Sequence, residues 1–249
     1  MSQQQTQSSD QQQQPPQPQA KQKQYEDEGI RKHLLPFFQL QKPQVLHEAR
    51  AFNDTPLDAR KCCSVLTELL CLLSQGEVLS PEESTTLFFG VTKLFQSQDP
   101  QLRRLVYLVI KELNQDQDQA FIVISSLEKD INGTIELFRA NAIRVHSKVI
   151  DASMLEQRAR IFRTAIVNTN EHIASSALTA GIRLFPSNPD VIRRWVNEVR
   201  EATRSAKPMV AFHGLHLLYK IHQHDRRAVD RVCVIKKFFF LKKEIIEQT

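Results

Sequence analysis

Glycine is scarce, with six in 249 residues. Phosphate-binding loops and active-site turns of α/β enzymes use glycine for positive φ and close backbone approach, so its scarcity weighs against that class. Only four cysteines occur, Cys62, Cys63, Cys71 and Cys233. None stands in a CxxC pair, which argues against a zinc site built on paired cysteines. Cys62, Cys63 and Cys71 fall in an apolar helical run and are expected as buried free thiols. No apolar run reaches the ~18 residues a bilayer span needs. The glutamine-rich N-terminus has no apolar core of a signal peptide. The sequons at Asn53 and Asn132 are therefore expected to be chance matches in a cytosolic protein. Nucleophile elbow, HExxH and phosphate-loop patterns are all absent. No catalytic residue, cofactor or metal is expected, and the chain reads as a non-enzyme. Nor is there a strong excess of charge of one sign. A formal net charge of +5, spread evenly, is modest for a nucleic-acid binder, and a mixed solvated surface accounts for it.

What is present is helical. Residues 1–28 form a Gln/Pro-rich arm around QQQQPPQPQ, too poor in apolar side chains to offset its ordering entropy. Residues 29–231 are read as an α-solenoid trunk, and 232–249 as a divergent Lys/Phe-rich tail. In SPEESTTLFFGVTKLF, Ser80 is placed to cap, Pro81 to enter the first turn and Glu83 to close a capping box. Leu87, Phe88, Val91, Leu94 and Phe95 then recur at three- and four-residue steps as one apolar stripe. SQDPQLRRLVYLVIKEL repeats the device: Asp99 caps, Pro100 enters, and Leu102, Leu105, Val106, Val109, Ile110 and Leu113 make the stripe. SNPDVIRRWVNEVREA does so again with Asn188 and Pro189. No alternating strand pattern is found, so the chain reads as all-α.

Similar segments begin at Arg104, Arg139, Ala174 and Val210, spaced by 35, 35 and 36 residues, with a less regular copy from Arg60. Another amphipathic helix lies between successive copies. Two helices per step is the period of a HEAT- or armadillo-like right-handed α-solenoid.

Several constellations have a plain structural reading and a functional one. The pairs Arg103–Arg104 and Arg193–Arg194 fall on the polar side of their helices or at its edge, where arginine can grip a carboxylate or phosphate, or satisfy helix ends and acids of the next repeat. His213 and His216, with His222, His224 and Asp225 beyond, have a spacing a metal could use, but no third ligand at a familiar interval. Lys236, Lys237, Lys242 and Lys243 flank Phe238, Phe239, Phe240 and Leu241. That run could dip into a membrane surface or be a poorly fitting end to an interrupted repeat.

The segments VLHEARAFNDTPLDARKC, FFGVTKLFQSQDPQLRRLVYLVIKEL, IVISSLEKDING, VIRRWVNEVREA and MVAFHGLHLLYKIHQHDRRAV, in that order, resemble the γ subunits of coatomer, the COPI vesicle coat. Their broader relatives are the adaptin-like trunks of clathrin adaptors. The resemblance runs from about residue 34 to about residue 230 and fails soon after Asp230, so the chain is read as a truncated form. It implies a cytoplasmic structural subunit, peripheral on Golgi membranes and COPI vesicles, acting in Golgi–ER and intra-Golgi transport. The implied partners are a GTP-loaded Arf-type small GTPase and zeta-, beta- and delta-type coatomer subunits, with no nucleic acid. For the GTPase surface the candidates are Phe89, Lys93, Gln96, Arg103, Arg104 and Lys111, an outer rim in which a partly exposed aromatic stands beside basic residues. The competing reading of Phe89 is packing between repeats. Two other functions stay open here: a regulatory short form that binds the GTPase without building a coat, and a helical-repeat module for nucleic acid.

Overall fold

The computed structural model describes residues 40–113, 117–225 and 227. Among these, eleven α-helices form and no strand: α1 (Lys42–Glu48), α2 (Ala59–Ser74), α3 (Pro81–Lys93), α4 (Pro100–Glu112), α5 (Gln117–Ile131), α6 (Glu136–Val149), α7 (Ala152–Ile166), α8 (Glu171–Leu184), α9 (Pro189–Arg193), α10 (Val196–Ala202) and α11 (Pro208–His222). Two 3-10 turns, Ala49–Asn53 and Leu94–Gln96, continue α1 and α3. The expected arm and tail lie outside the described residues. No described helix is long and apolar enough to cross a membrane.

The helix starts follow from their caps. Ser80 Oγ accepts from the Glu83 amide at 3.2 Å, while Glu83 Oε2 accepts from the Ser80 amide at 2.8 Å, closing the capping box. Asp99 Oδ1 accepts from the Leu102 amide at 2.7 Å, with Pro100 in the first turn. The third expected cap differs. Pro189 opens α9, but the Asn188 side chain makes no capping bond; its Nδ2 reaches across to Ala152 O at 3.0 Å. That helix also does not run on as one. It breaks at Arg194–Trp195, which lets Trp195 drop fully into the core against Phe162, ring centroids 5.7 Å apart and nearly parallel.

Helices α2, α4, α6, α8 and α11 pack successively side by side in one row. Helices α3, α5, α7 and the α9–α10 pair make a second row, and each packs on the first-row helix that follows it. The internal copies from Arg60, Arg104, Arg139, Ala174 and Val210 therefore all fall on first-row helices. The fold is a two-row, all-α helical repeat. Its core lies between the rows, built from stripes such as Leu102, Val106, Val109 and Ile110, all fully buried. Burying each such side chain contributes about 1.5–3 kcal/mol.

The row tightens at α8, whose residues Ile173 to Leu178 are buried throughout. Small side chains permit this, and the buried hydroxyls stay satisfied within the helix: Ser176 Oγ donates to His172 O at 2.6 Å and Thr179 Oγ1 to Ser175 O at 3.0 Å. Gly181 completes the fit. A Cβ there would stand 2.7 Å from Leu217 Cδ2 and 3.3 Å from the Trp195 ring, so its absence lets α8 and α11 close on each other.

The thiols are free. Cys62 is buried and Cys63 and Cys71 are half-buried, and burial raises all three above the ordinary thiol value, which lowers their reactivity. Cys233 lies outside the described residues.

Candidate functional site

The six candidate residues lie on two consecutive helices and the turn between them. Phe89 and Lys93 stand on α3 and Gln96 in the following 3-10 turn, at steps of four and three, so they run down one exposed side. Phe89 is 44% exposed, with its ring edge-on to buried Phe88 at 5.6 Å. Lys93 is exposed but engaged, its Nζ donating to Asn53 Oδ1 at 2.5 Å. Arg104 and half-buried Lys111 form a second line on α4. Leu108 lies between them, an apolar residue 46% exposed. The two lines belong to helices of different rows. Arg104 is exposed and makes no hydrogen bond or ion pair among the described residues.

Arg103 corrects the reading that both arginines lie on the polar side of the helix or at its edge. It is only 2% exposed. Its Nη1 donates to Phe95 O at 2.6 Å and Ser97 O at 3.3 Å; its Nη2 donates to the Tyr107 hydroxyl at 2.7 Å and to Asp130 Oδ2. The Tyr107 hydroxyl in turn donates to Asp130 Oδ2 at 2.8 Å. The guanidinium lies over the Phe138 ring, 4.5 Å from its centroid, with the Phe95 ring at 5.1 Å. Burial and the Asp130 charge push the Tyr107 phenol well above its usual range, so it stays a neutral donor. The physical reason for the miss is that α4 packs against α2, α3 and α6, which widens its buried arc beyond one stripe. The group that makes a buried guanidinium tolerable, Asp130, lies 27 residues downstream. Arg103 is a joint between repeats and is removed from the exposed rim.

A second polar joint went unseen in the sequence. Glu128 on α5 accepts from Arg158 Nε on α7 at 2.8 Å and stands 3.5 Å from Nε2 of fully buried His146 on α6. Neither His146 ring nitrogen has a hydrogen-bond partner. The ring packs edge-on against Phe162 at 5.3 Å. Burial lowers the imidazole to about 4, outweighing the opposing Glu128 charge, so His146 is neutral near pH 7. Of the other arginine pair, Arg193 meets Asp190 at 2.8 Å within its own helix, and Arg194 meets Glu156 on α7 at 2.9 Å. His213 is half-buried and His216 exposed. Among the described residues, no three of His, Cys, Asp and Glu gather as metal ligands would.

A row of paired helices joined through buried polar contacts, with an outer face of unpaired side chains, defines a helical-repeat scaffold. Residues 41–249 match the model of the adaptin N terminal region, and the chain belongs to that family. It is 52% identical over 197 residues to coatomer subunit gamma-1 of Oryza sativa subsp. japonica, covering 79% of this chain and 22% of that protein. Against the probable coatomer subunit gamma of Caenorhabditis elegans it is 49% identical over 199 residues, 80% of this chain and 23% of that protein. Against coatomer subunit gamma-1 of Bos taurus the figures are 45% over 203 residues, 82% and 23%. The chain thus spans less than a quarter of the length of these relatives.

Proposed function

We propose that this chain is a trunk module of a γ-type subunit of the COPI coat, serving as a structural part of the coat in Golgi–ER and intra-Golgi vesicle transport. The observation that carries the reading is the identity to coatomer gamma subunits, 45–52% across about four-fifths of the chain, on a helical-repeat scaffold. In this reading the module is cytoplasmic and peripheral on Golgi membranes. It is recruited by a membrane-anchored Arf-type small GTPase in its GTP form, and it meets zeta-, beta- and delta-type coatomer subunits. Preference for the GTP form follows because only that form presents ordered switch segments, so binding energy selects it.

Of the six rim candidates, five remain for the GTPase surface: Phe89, Lys93, Gln96, Arg104 and Lys111. Arg104 is the most available charge among them, exposed and unpaired. Partly exposed Phe89 supplies an aromatic anchor. The experiment is calorimetric titration of the full chain with an Arf-type GTPase carrying GDP or a non-hydrolysable GTP analogue, beside co-purification with zeta-, beta- and delta-type subunits. Binding to the GTP form only, together with co-purification, supports the reading. Equal affinity for both forms removes the switch-dependent recruitment.

A further inference from the structure

Among the described residues the first row ends on α11, and one side of that helix differs from its counterparts earlier in the row. The copies from Arg104, Arg139, Ala174 and Val210 define equivalent positions. Phe212 and His216 of α11 correspond to Ser176 and Ala180 of α8, to Asn141 and Val145 of α6, and to Val106 and Ile110 of α4. Five of those six earlier residues are buried, and Asn141 is half-buried. Phe212, by contrast, is 64% exposed, and His216 is exposed. The earlier helices each have a row neighbour on both sides: α6 packs on α4 and α8, and α8 on α6 and α11. Helix α11 packs on α8 and on the α9–α10 pair, and no described helix follows it in the row. Positions covered elsewhere in the row are therefore open here. Tyr219, 47% exposed and one turn beyond His216, extends the open side.

The sequence after α11 carries a matching pattern, in a stretch that lies outside the described residues. Val234, Phe238, Leu241 and Ile245 recur at steps of four, three and four, the spacing of one apolar helical stripe. Lys236, Lys243, Glu244 and Glu247 fall on the opposite side of such a helix. At 1.5 Å per residue, a helix over 234–247 would be about 21 Å long, against about 22 Å for the 15 residues of α11. Residues 223–233 join the two. Extended, that link spans up to about 36 Å, enough to bring the stripe onto any part of α11.

We propose that residues 234–247 of this chain dock as an amphipathic helix on the open side of α11, over Phe212, His216 and Tyr219, and so close the row. The stripe of aliphatic and aromatic side chains suits a surface made of two aromatic rings and an imidazole. A tethered segment meets that surface at an effective concentration on the order of millimolar, which a second copy of the chain at micromolar concentration does not reach. The site is separate from the GTPase rim on α3 and α4 and does not depend on it.

The test is hydrogen exchange of the full chain, read by mass spectrometry on peptides covering 208–222 and 234–247. In the wild type the amides of 234–247 are expected to exchange at least about tenfold more slowly than in an unstructured chain. Phe212→Asp with His216→Asp changes two exposed side chains. That variant is expected to return 234–247 to the unstructured rate, while α4 and α8 keep wild-type protection. Phe238→Asp with Leu241→Asp is expected to do the same from the other partner. Sedimentation velocity is expected to show a monomer. Unprotected amides over 234–247 in the wild type, or protection that survives the Phe212 and His216 substitutions, overturns the proposal. A dimer that those substitutions dissociate puts a second copy on α11 and overturns it as well. Protection that arises only when phosphatidylserine vesicles are added assigns the segment to a membrane surface, with the same consequence.

Discussion

Helix α5 holds two acids two residues apart, and they make joints of different kinds. Asp130 closes a backward joint with Arg103 and Tyr107 of α4, a charged pair with a hydroxyl between them and aromatic rings around it. Glu128 closes a forward joint with Arg158 of α7 and stands by His146 of α6 without a hydrogen bond to it. In the first, burial is matched by partners for nearly every donor; in the second, a titratable ring is kept neutral by burial. A buried charge with partners persists over the whole pH range in which its acid is ionised, whereas a buried neutral histidine is stable only while it stays neutral. The same helix thus makes one joint that is sensitive to loss of a partner and one that is sensitive to acid.

The largest expected effect comes from breaking the backward joint. Asp130→Ala leaves the Arg103 guanidinium buried with no counter-charge and is expected to cost about 3–5 kcal/mol in urea denaturation. Replacing both partners, Arg103→Met with Asp130→Leu, is expected to recover most of that loss, because no orphaned charge remains. A double variant as unstable as the single one would show that the joint is not the unit described.

The forward joint is expected to respond to pH. His146 has a folded pKa below its unfolded value, so between about 6.5 and about 4 the unfolded chain takes up protons that the folded chain does not. Stability from this residue is therefore complete above about 6.5 and falls as the pH drops towards about 4, by on the order of 3 kcal/mol over the window. His146→Phe keeps the edge-on contact with Phe162 and leaves Glu128 to Arg158. The difference in stability between wild type and variant is expected to shrink or reverse in favour of the variant as pH falls from 7 to 4. A pH-independent difference would contradict the assignment.

A smaller effect concerns helix entry. Asp99→Ala removes the side-chain acceptor at the start of α4 and is expected to cost about 1 kcal/mol. Asn188→Ala breaks a contact between α7 and α9 and no cap, so its cost is expected to track the loss of the bond to Ala152 O, about 0.5–1.5 kcal/mol.

These residues also show what could be read in the chain before its fold. Caps and apolar stripes are local, and Ser80, Asp99 and the spacing of the copies from Arg104 to Val210 located the helices and the first row. Asn188–Pro189 imitated the same local signal but its carboxamide was recruited by a neighbouring helix, and the break at Arg194 follows from the demand for Trp195 in the core. Arg103 was misplaced because its burial depends on Asp130, and pattern within one helix carries no record of a partner 27 residues away. His146 was missed for the same reason: its joint exists only where separate helices bring Glu128, His146 and Arg158 together.

Arg103 and Arg104, adjacent in sequence, part company in the fold: Arg103 is buried in a joint between repeats, while Arg104 is exposed and, under the proposed function, is a contact for the GTPase. The measurement that tests this most directly is a paired titration of Arg103→Lys and Arg104→Glu against an Arf-type GTPase bearing a GTP analogue, with the melting temperature of each. Arg104→Glu is expected to keep the wild-type melting temperature and lose binding at least about tenfold, since a reversed charge at a steered contact repels the partner. Arg103→Lys is expected to melt lower, because a single ammonium cannot replace the forked contacts to Phe95, Ser97, Tyr107 and Asp130, while its folded molecules bind with wild-type affinity. A stable Arg103→Lys that has lost binding, beside an Arg104→Glu that binds as wild type, would contradict the account.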